Sequence, residues 1–258
     1  GEVDRAGGGQ DDAVRRKAGD DRFQHEVHEE RAERAFVQLL HLEGTHGPSV
    51  LRQRIDGGAG FRIDEIADAV GKKAEVAAIT EAAMRGEITD FKDSLRQRVG
   101  KLVGVTEADM ARVLTERLRL TPGADTLVRA AQAAGLKVLL VSGGFTYFAE
   151  HVRGLLGIDF VRANVLETRD GVLTGGLVEQ PWGDICDGAE KRRTLLEVAC
   201  LLGITPAQCI AVGDGSNDIP MMQAAGLSVA YHAKPRVRAE AKVCINEGGL
   251  DRLLEVLH

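Results

Sequence analysis

The sequence predicts an α/β protein: a doubly wound parallel sheet with a small helical cap inserted near its beginning. Three observations carry that expectation. Short runs rich in branched apolar residues, such as Leu136-Lys137-Val138-Leu139-Leu140-Val141 and Cys209-Ile210-Ala211-Val212, read as buried strands. Between them stand amphipathic stretches that stop at glycine, as helices do. Strands that alternate with helices pair in parallel, because each return needs a crossover, and the helices then cover both faces.

A chain of 258 residues with 44% hydrophobic content is long enough for a real core. Its formal charge of -6 leaves no electrostatic footprint for nucleic acid or an anionic membrane. No apolar run is long enough to span a bilayer, and the charged beginning lacks the apolar centre of a signal peptide, so a cytoplasmic protein is expected. Cys186, Cys200, Cys209 and Cys244 keep no C-x-x-C spacing and read as buried free thiols in a reducing compartment. Oligomeric state leaves no mark in the sequence.

Taken in order, residues 1–35 are densely charged and include Gly7-Gly8-Gly9, which favours disorder or a solvated helix. Phe36, Val37, Leu39 and Leu40 make one apolar stripe at helical spacing, compatible with a short amphipathic helix. His25, His28 and His41 fall near it, but nothing fixes a first shell, so no metal site is read there. Residues 48–55 read as a poor strand before the turn signal Asp56-Gly57-Gly58.

Near Ile63 the character changes. Helices are expected over 64–71, 73–85, 88–99 and 107–120, four in a row with no strand between them. They form the cap, residues 62–120, and the α/β core is expected over 121–258. Thr121 is expected to cap the next helix, with Pro122 at its first position and Gly135 at its end. A strand over 136–141, a helix over 146–156 and a strand near Phe160-Val161 follow. Residues 164–178 read as a β-hairpin around the turn Asp170-Gly171. Helix 190–202, strand 209–212, helix 217–225, strands 227–233 and 243–245, and helix 249–257 complete the chain.

The chemistry gathers at strand tips, where ligands sit in open α/β sheets. Gly213-Asp214-Gly215-Ser216-Asn217-Asp218 follows the strand Cys209-Ile210-Ala211-Val212 and offers two carboxylates four residues apart, which suits a hard cation such as Mg²⁺. Asn217 or Asp218 can cap the helix that follows. Ser142-Gly143-Gly144 places a hydroxyl and unhindered backbone N–H groups at the start of a helix, a natural anion cradle. Lys191 sits in the first turn of its helix, against the macrodipole, which hints at a partner beyond that helix.

In this order, Ser142-Gly143-Gly144, Lys191 and Gly213 to Asp218 resemble the second, third and fourth motifs of the haloacid-dehalogenase-like phosphohydrolases, whose fold is of Rossmann type. Ile63-Asp64-Glu65-Ile66-Ala67, Ala83-Met84-Arg85-Gly86, Ser94-Leu95-Arg96-Gln97-Arg98-Val99 and Ala230-Tyr231-His232-Ala233-Lys234-Pro235 look like the cap and late turn of the branch that hydrolyses O-phosphoserine in serine biosynthesis. The resemblance covers roughly 62–258. It implies that Asp214 ligates Mg²⁺ with support from Asp218, and that Ser142 and Gly143 bind the phosphoryl oxygens. It implies that Lys191 neutralises phosphoryl charge, that Asn217 helps hold the phosphate-facing loop, and that Arg98 pairs with the substrate carboxylate. Phosphoryl transfer is mostly positioning and electrostatic stabilisation, so these residue types fit.

One motif departs. The family's first motif, D-x-D-x-T at the end of the first strand, supplies the nucleophilic carboxylate and a second carboxylate as general acid and base. Counted back without gaps from Ile63, those positions fall on Arg52 and Arg54, and a glutamate used near the substrate amine falls on Phe61. Arginine neither attacks phosphorus nor shuttles a proton near neutral pH. A first strand over 49–55 would also be abnormally polar for the centre of a sheet. A reading-frame shift upstream of Arg62-Ile63 accounts for so sharp a break; degeneration into a non-catalytic, phosphate-ester-binding pseudophosphatase is the alternative.

Overall fold

The computed structural model describes residues 35–38, 43–44 and 63–257. Its strands in chain order are β1 (Ala35–Gln38), β2 (Glu43–Gly44), β3 (Leu118–Arg119), β4 (Lys137–Phe145), β5 (Phe160–Asn164), β6 (Leu166–Arg169), β7 (Val172–Leu177), β8 (Cys209–Gly213), β9 (Leu227–Tyr231) and β10 (Val243–Ile245). Its helices are α1 (Ile63–Ala69), α2 (Lys73–Met84), α3 (Phe91–Gly100), α4 (Glu107–Arg117), α5 (Ala124–Ala133), α6 (Thr146–Leu156), α7 (Gly188–Leu201), α8 (Ile219–Ala224) and α9 (Pro235–Glu240).

Six strands form one parallel sheet in the order β10-β9-β8-β1-β4-β5. Numbered by their place in this sheet, that is the doubly wound order 3-2-1-4-5-6, and the direction of winding reverses beside β1. The crevice at a reversal, beyond the C-terminal ends of the strands, is where this architecture holds ligands. Side chains alternate between the two faces, as a period of two requires. Val138, Leu140, Ile210 and Val212 enter one core with α5 and α6; Leu139, Val141, Cys209 and Ala211 enter the other with α7 and α8. Burial on both faces explains why β4 and β8 are almost continuously apolar.

β1 corrects the sequence reading. Residues 35–38 form a strand, not part of an amphipathic helix, and this strand fills the centre of the sheet. Phe36 is level with Val138 on one side and Ile210 on the other, and Gln38 with Leu140 and Val212. The reason is tertiary: β4 and β8 each present an edge to one slot, and a short apolar run satisfies both ladders at once. The expected poor strand over 48–55, the disorder or helix over 1–34, and the three histidines lie outside the described residues.

Helices α1 to α4 make the cap. Leu95, Val99, Leu102, Val105, Met110 and Val113 are buried within it. Asp90 caps α3 through Lys92 N, and Thr106 caps α4 in a reciprocal box with Asp109. The fourth helix stops at Arg117 rather than 120, because Leu118 and Arg119 leave it to pair antiparallel with Gly44 and Glu43. This two-rung ribbon joins chain entering the cap to chain leaving it.

Smaller corrections follow the same logic. The cap of α5 is Gly123, with φ +77°, and not Thr121, which is buried. At the hairpin β6–β7, Asp170 and Gly171 both take positive φ (52° and 76°), the turn that matches strand twist. The last helical segment, Leu250–Val256, is 3₁₀, and α9 is a helix the sequence reading did not separate from the preceding turn. Of the four free cysteines, Cys186 and Cys209 are buried as expected, but Cys200 and Cys244 are exposed.

If Ala35–Gln38 is the central strand, Val37→Pro removes a ladder hydrogen bond from it and leaves a carbonyl unpaired, which costs about 1–3 kcal/mol. The urea midpoint should drop accordingly. An unchanged midpoint would mean that another segment fills the slot.

Candidate active site

Lys191 is wholly buried in the first turn of α7, and its Nζ lies 2.7 Å from Asp218 Oδ1. The partner hinted at by a lysine opposed to the macrodipole is therefore a carboxylate from the loop after β8. Asp218 Oδ2 accepts from the backbone N–H groups of Asp214 (3.1 Å) and Gly215 (3.0 Å). Both oxygens of this fully buried carboxylate are engaged, so Asp218 shapes the loop and anchors the ammonium. Its side chain does not cap α8, as the sequence reading allowed; the helix begins after it without a side-chain cap.

Two glycines make this approach possible. A Cβ on Gly213 would stand 2.7 Å from Asp218 Cγ, and one on Gly188 would stand 2.9 Å from Asn217 O. Both distances are below contact, so the loop 213–218 closes on Lys191 and on the start of α7 only with glycine at these points.

On the other side of β1, β4 runs through Ser142-Gly143-Gly144 to Phe145, and α6 begins only at Thr146. The sequence reading placed these residues at a helix start; they form a bulge instead. Pairing with β5 passes from Val141–Arg162 to Phe145–Asn164, four steps on one strand against two on the other. Ser142 Oγ accepts from Gly144 N at 3.0 Å. The bulge is pinned by Asn164, fully buried, whose Nδ2 donates to Gly143 O (2.7 Å) while its Oδ1 accepts from Cys186 N (2.6 Å). Sequence reasoning missed Asn164, and its signal was a polar residue ending a buried strand. Cys186, level with this network, is inert as an acid: burial pushes its thiol up to about 12, though the Lys191 charge works the other way.

Register relates the two halves. Leu140 and Val212 are level with Gln38, and Ser142 and Asp214 lie two residues beyond them. They flank the same crevice across one intervening strand, roughly 10 Å apart at 4.7–4.9 Å per strand spacing. Asp214 is half-buried at this edge. In the sequence, the residue two beyond Gln38 is Leu40, and Glu43 is the one acidic residue between Gln38 and Asp56.

Arg98 stands on the cap. It is half-buried, and its Nε donates to Ser94 O of its own helix at 3.2 Å. Burial draws its guanidinium below the usual range, opposed by the charge of Asp64. No hydrogen bond among the described residues joins it to Ser142, Lys191 or Asp214. Besides apolar packing shared with the core, two bridges link α3 to the loop before α7: Arg96 to Asp184 (2.6 Å) and Lys92 to Asp187 (3.2 Å). Asp187 also caps α7 through Glu190 N (2.9 Å). Such exposed bridges contribute little energy singly, but these set the cap against the loop that leads to Lys191.

A sequence model of the haloacid dehalogenase-like hydrolases matches residues 65–223. The chain belongs to that family. The phosphoserine phosphatase of Polaromonas sp. (strain JS666) is 69% identical over 195 residues, 76% of this chain and 83% of that one. That of Idiomarina loihiensis is 46% identical over 195 residues, 76% and 84% of the two chains. A solved probable phosphoserine phosphatase from Vibrio cholerae superposes with a TM-score of 0.73 at 36% identity, over 88% of this chain and 65% of that chain. A substrate-bound phosphoserine phosphatase complex superposes with a TM-score of 0.71 at 30% identity, over 87% and 98%.

Metal dependence, typically on Mg²⁺, is general among phosphatases of this family. The residues of this family member fit such an ion only in part. Mg²⁺ demands an octahedron of hard oxygens, usually with one or two carboxylates in it. Among the described residues there is no group of three or more acidic, His or Cys side chains placed to hold one. Asp218 is engaged by Lys191 and the loop, and Asp214 is its neighbour at the β8 tip.

The buried pair yields a test. Lys191→Met strands Asp218 without its cation and should cost about 3–5 kcal/mol, whereas Lys191→Met with Asp218→Leu should recover most of it. Equilibrium unfolding in urea measures both, and a neutral single variant would contradict the pairing.

Proposed function

We propose that residues 62–120 and 121–258 are the cap and core of a phosphatase for O-phosphoserine, and that this polypeptide, which lacks the first motif, is impaired or inactive in cleaving the ester it binds. The reading is supported by one observation: Asp218 locks Lys191 to the loop after β8 on one side of β1, and the Ser142 bulge closes the tip of β4 on the other. Ser142 and Gly143 would receive the phosphoryl oxygens, and Lys191 would neutralise their charge. Asn217 would support the loop, and Arg98 would take the substrate carboxylate with its planar fork. Asp214 is the residue assigned to Mg²⁺, which supplies charge neutralisation when bound.

Hydrolysis through a covalent intermediate needs a carboxylate to attack phosphorus while the ester oxygen leaves with a proton. Leu39 and Leu40, which follow the central strand in sequence, supply neither function. Arg52 and Arg54, the positions reached by gapless counting, supply neither as well. Among the described residues no helix is long and apolar enough to cross a membrane. A cytoplasmic setting, with thiols kept reduced, completes the reading.

The chain with Mg²⁺ and O-phosphoserine should release inorganic phosphate no faster than a control without protein. Turnover that Asp56→Asn abolishes would overturn this, because it would show that Asp56 has taken over the attack.

A further inference from the structure

Apart from Asp170, whose positive φ belongs to the β6–β7 turn, one non-glycine residue among those described takes the left-handed region: His232, with φ +45°. It follows β9 directly. Because Ala230 is level with Gly213, His232 stands at the end of the sheet where Asp214 stands. A left-handed residue other than glycine costs energy, and its surroundings must hold it there. Here both its backbone and its side chain are held. His232 N donates to Ile245 O at 2.8 Å, at the end of the β9–β10 ladder, and its Nε2 lies 2.9 Å from Gly248 O. A carbonyl only accepts, so Nε2 carries the ring proton. Tyr231 Oη donates to the same carbonyl at 3.2 Å, and its ring meets the imidazole edge-on, 4.4 Å between centroids.

Gly248 leads into a second contact. Leu250 N donates to Pro122 O at 2.7 Å. Pro122 lies in the short link between β3 and α5, which is the way out of helices α1 to α4. The approach is close on both sides. A Cβ on Gly249 would stand 2.6 Å from Pro122 O, and one on Gly123 would stand 2.7 Å from Asp251 N. Leu250 and Leu253 then bury themselves in the core that holds Leu127 and Val128 of α5. The C-terminal segment is therefore fastened to the β9 tip at Gly248 and to the link below the cap at Leu250.

We propose that His232 is a positioning residue: by clasping Gly248 it holds the C-terminal segment against Pro122, and so sets where the cap stands over the strand tips. It acts through that segment and not on the ligand. Local structure does not call for histidine here. Glycine would take φ +45° without strain, and the side chain is exposed, so neither turn geometry nor burial accounts for the imidazole. Its reach to Gly248 O does. The consequence for ligand binding rests on the phosphate-site reading above, whereas the clasp itself does not.

The test is amide hydrogen exchange of the whole chain, read over residues 118–124 and 250–257 with α7 as reference, together with calorimetric titration by O-phosphoserine. Three variants separate the clasp from backbone strain. His232→Gly removes donor and strain, His232→Ala removes the donor alone, and His232→Gln keeps an amide donor at similar reach. In the first two, exchange over 118–124 and 250–257 should quicken about three- to tenfold, the size of one net hydrogen bond, with α7 unchanged. O-phosphoserine should bind more weakly by a similar factor in both, and His232→Gln should restore both properties. Unchanged exchange in His232→Gly, or exchange that quickens equally in α7, overturns the inference. So does a His232→Gln variant that behaves like His232→Ala, or an unaltered O-phosphoserine affinity where exchange has quickened. If the unaltered chain binds no O-phosphoserine, the phosphate-site reading fails and exchange alone decides the clasp.

Discussion

A buried lysine ammonium hydrogen-bonded to a buried aspartate organises this molecule's chemistry. Taking two charges out of water is costly, and their attraction offsets that cost only when geometry is good and the remaining lone pairs are used. Here they are used: Asp218 holds Lys191 with one oxygen and two loop N–H groups with the other. The pair thereby fixes three things together, namely the start of α7, the conformation of 213–218 and the direction in which the β8 tip presents Asp214. Gly213 and Gly188 are the steric conditions for that closure. Through Asp187, which caps α7 and meets Lys92, the same unit reaches the cap.

Much of this was legible in the residues. A lysine at a helix start hinted at a partner beyond that helix, and the glycines of the Gly-Asp-Gly tip marked a loop that a ligand can approach. Asp170-Gly171 encoded its turn, because both positions need positive φ and this dipeptide tolerates it. Thr106 and Asp109 encoded a helix start in the same local way. What stayed hidden was decided by tertiary context. Phe36, Val37, Leu39 and Leu40 fit a helical stripe and a short strand equally well, and only the slot between β4 and β8 selects the strand. Asn164 carries no motif of its own; its function exists only where the β4 bulge and the 184–187 loop meet. The identity of the helix cap at 123 and of the ribbon at 118–119 likewise depends on partners remote in sequence.

The parts of a phosphoryl-transfer site separate cleanly in this family member. On the proposed reading, positioning and charge neutralisation reside in β4, α7 and the β8 loop. In the family's pattern the attacking group follows the first strand; here Leu39 and Leu40 follow the central strand in sequence. A central strand can be supplied by a short apolar run that satisfies two ladders, so on the proposed reading the fold tolerates a change at β1 that the reaction does not. Binding and turnover are then distinct properties of one crevice.

That distinction is most directly examined by phosphorus-31 NMR of O-phosphoserine titrated with the chain and with its Lys191→Met variant. The account predicts that the unaltered chain shifts and broadens the ester resonance, that the variant does so far more weakly, and that no inorganic phosphate signal grows. An ester resonance perturbed equally by both proteins, or by neither, would contradict it.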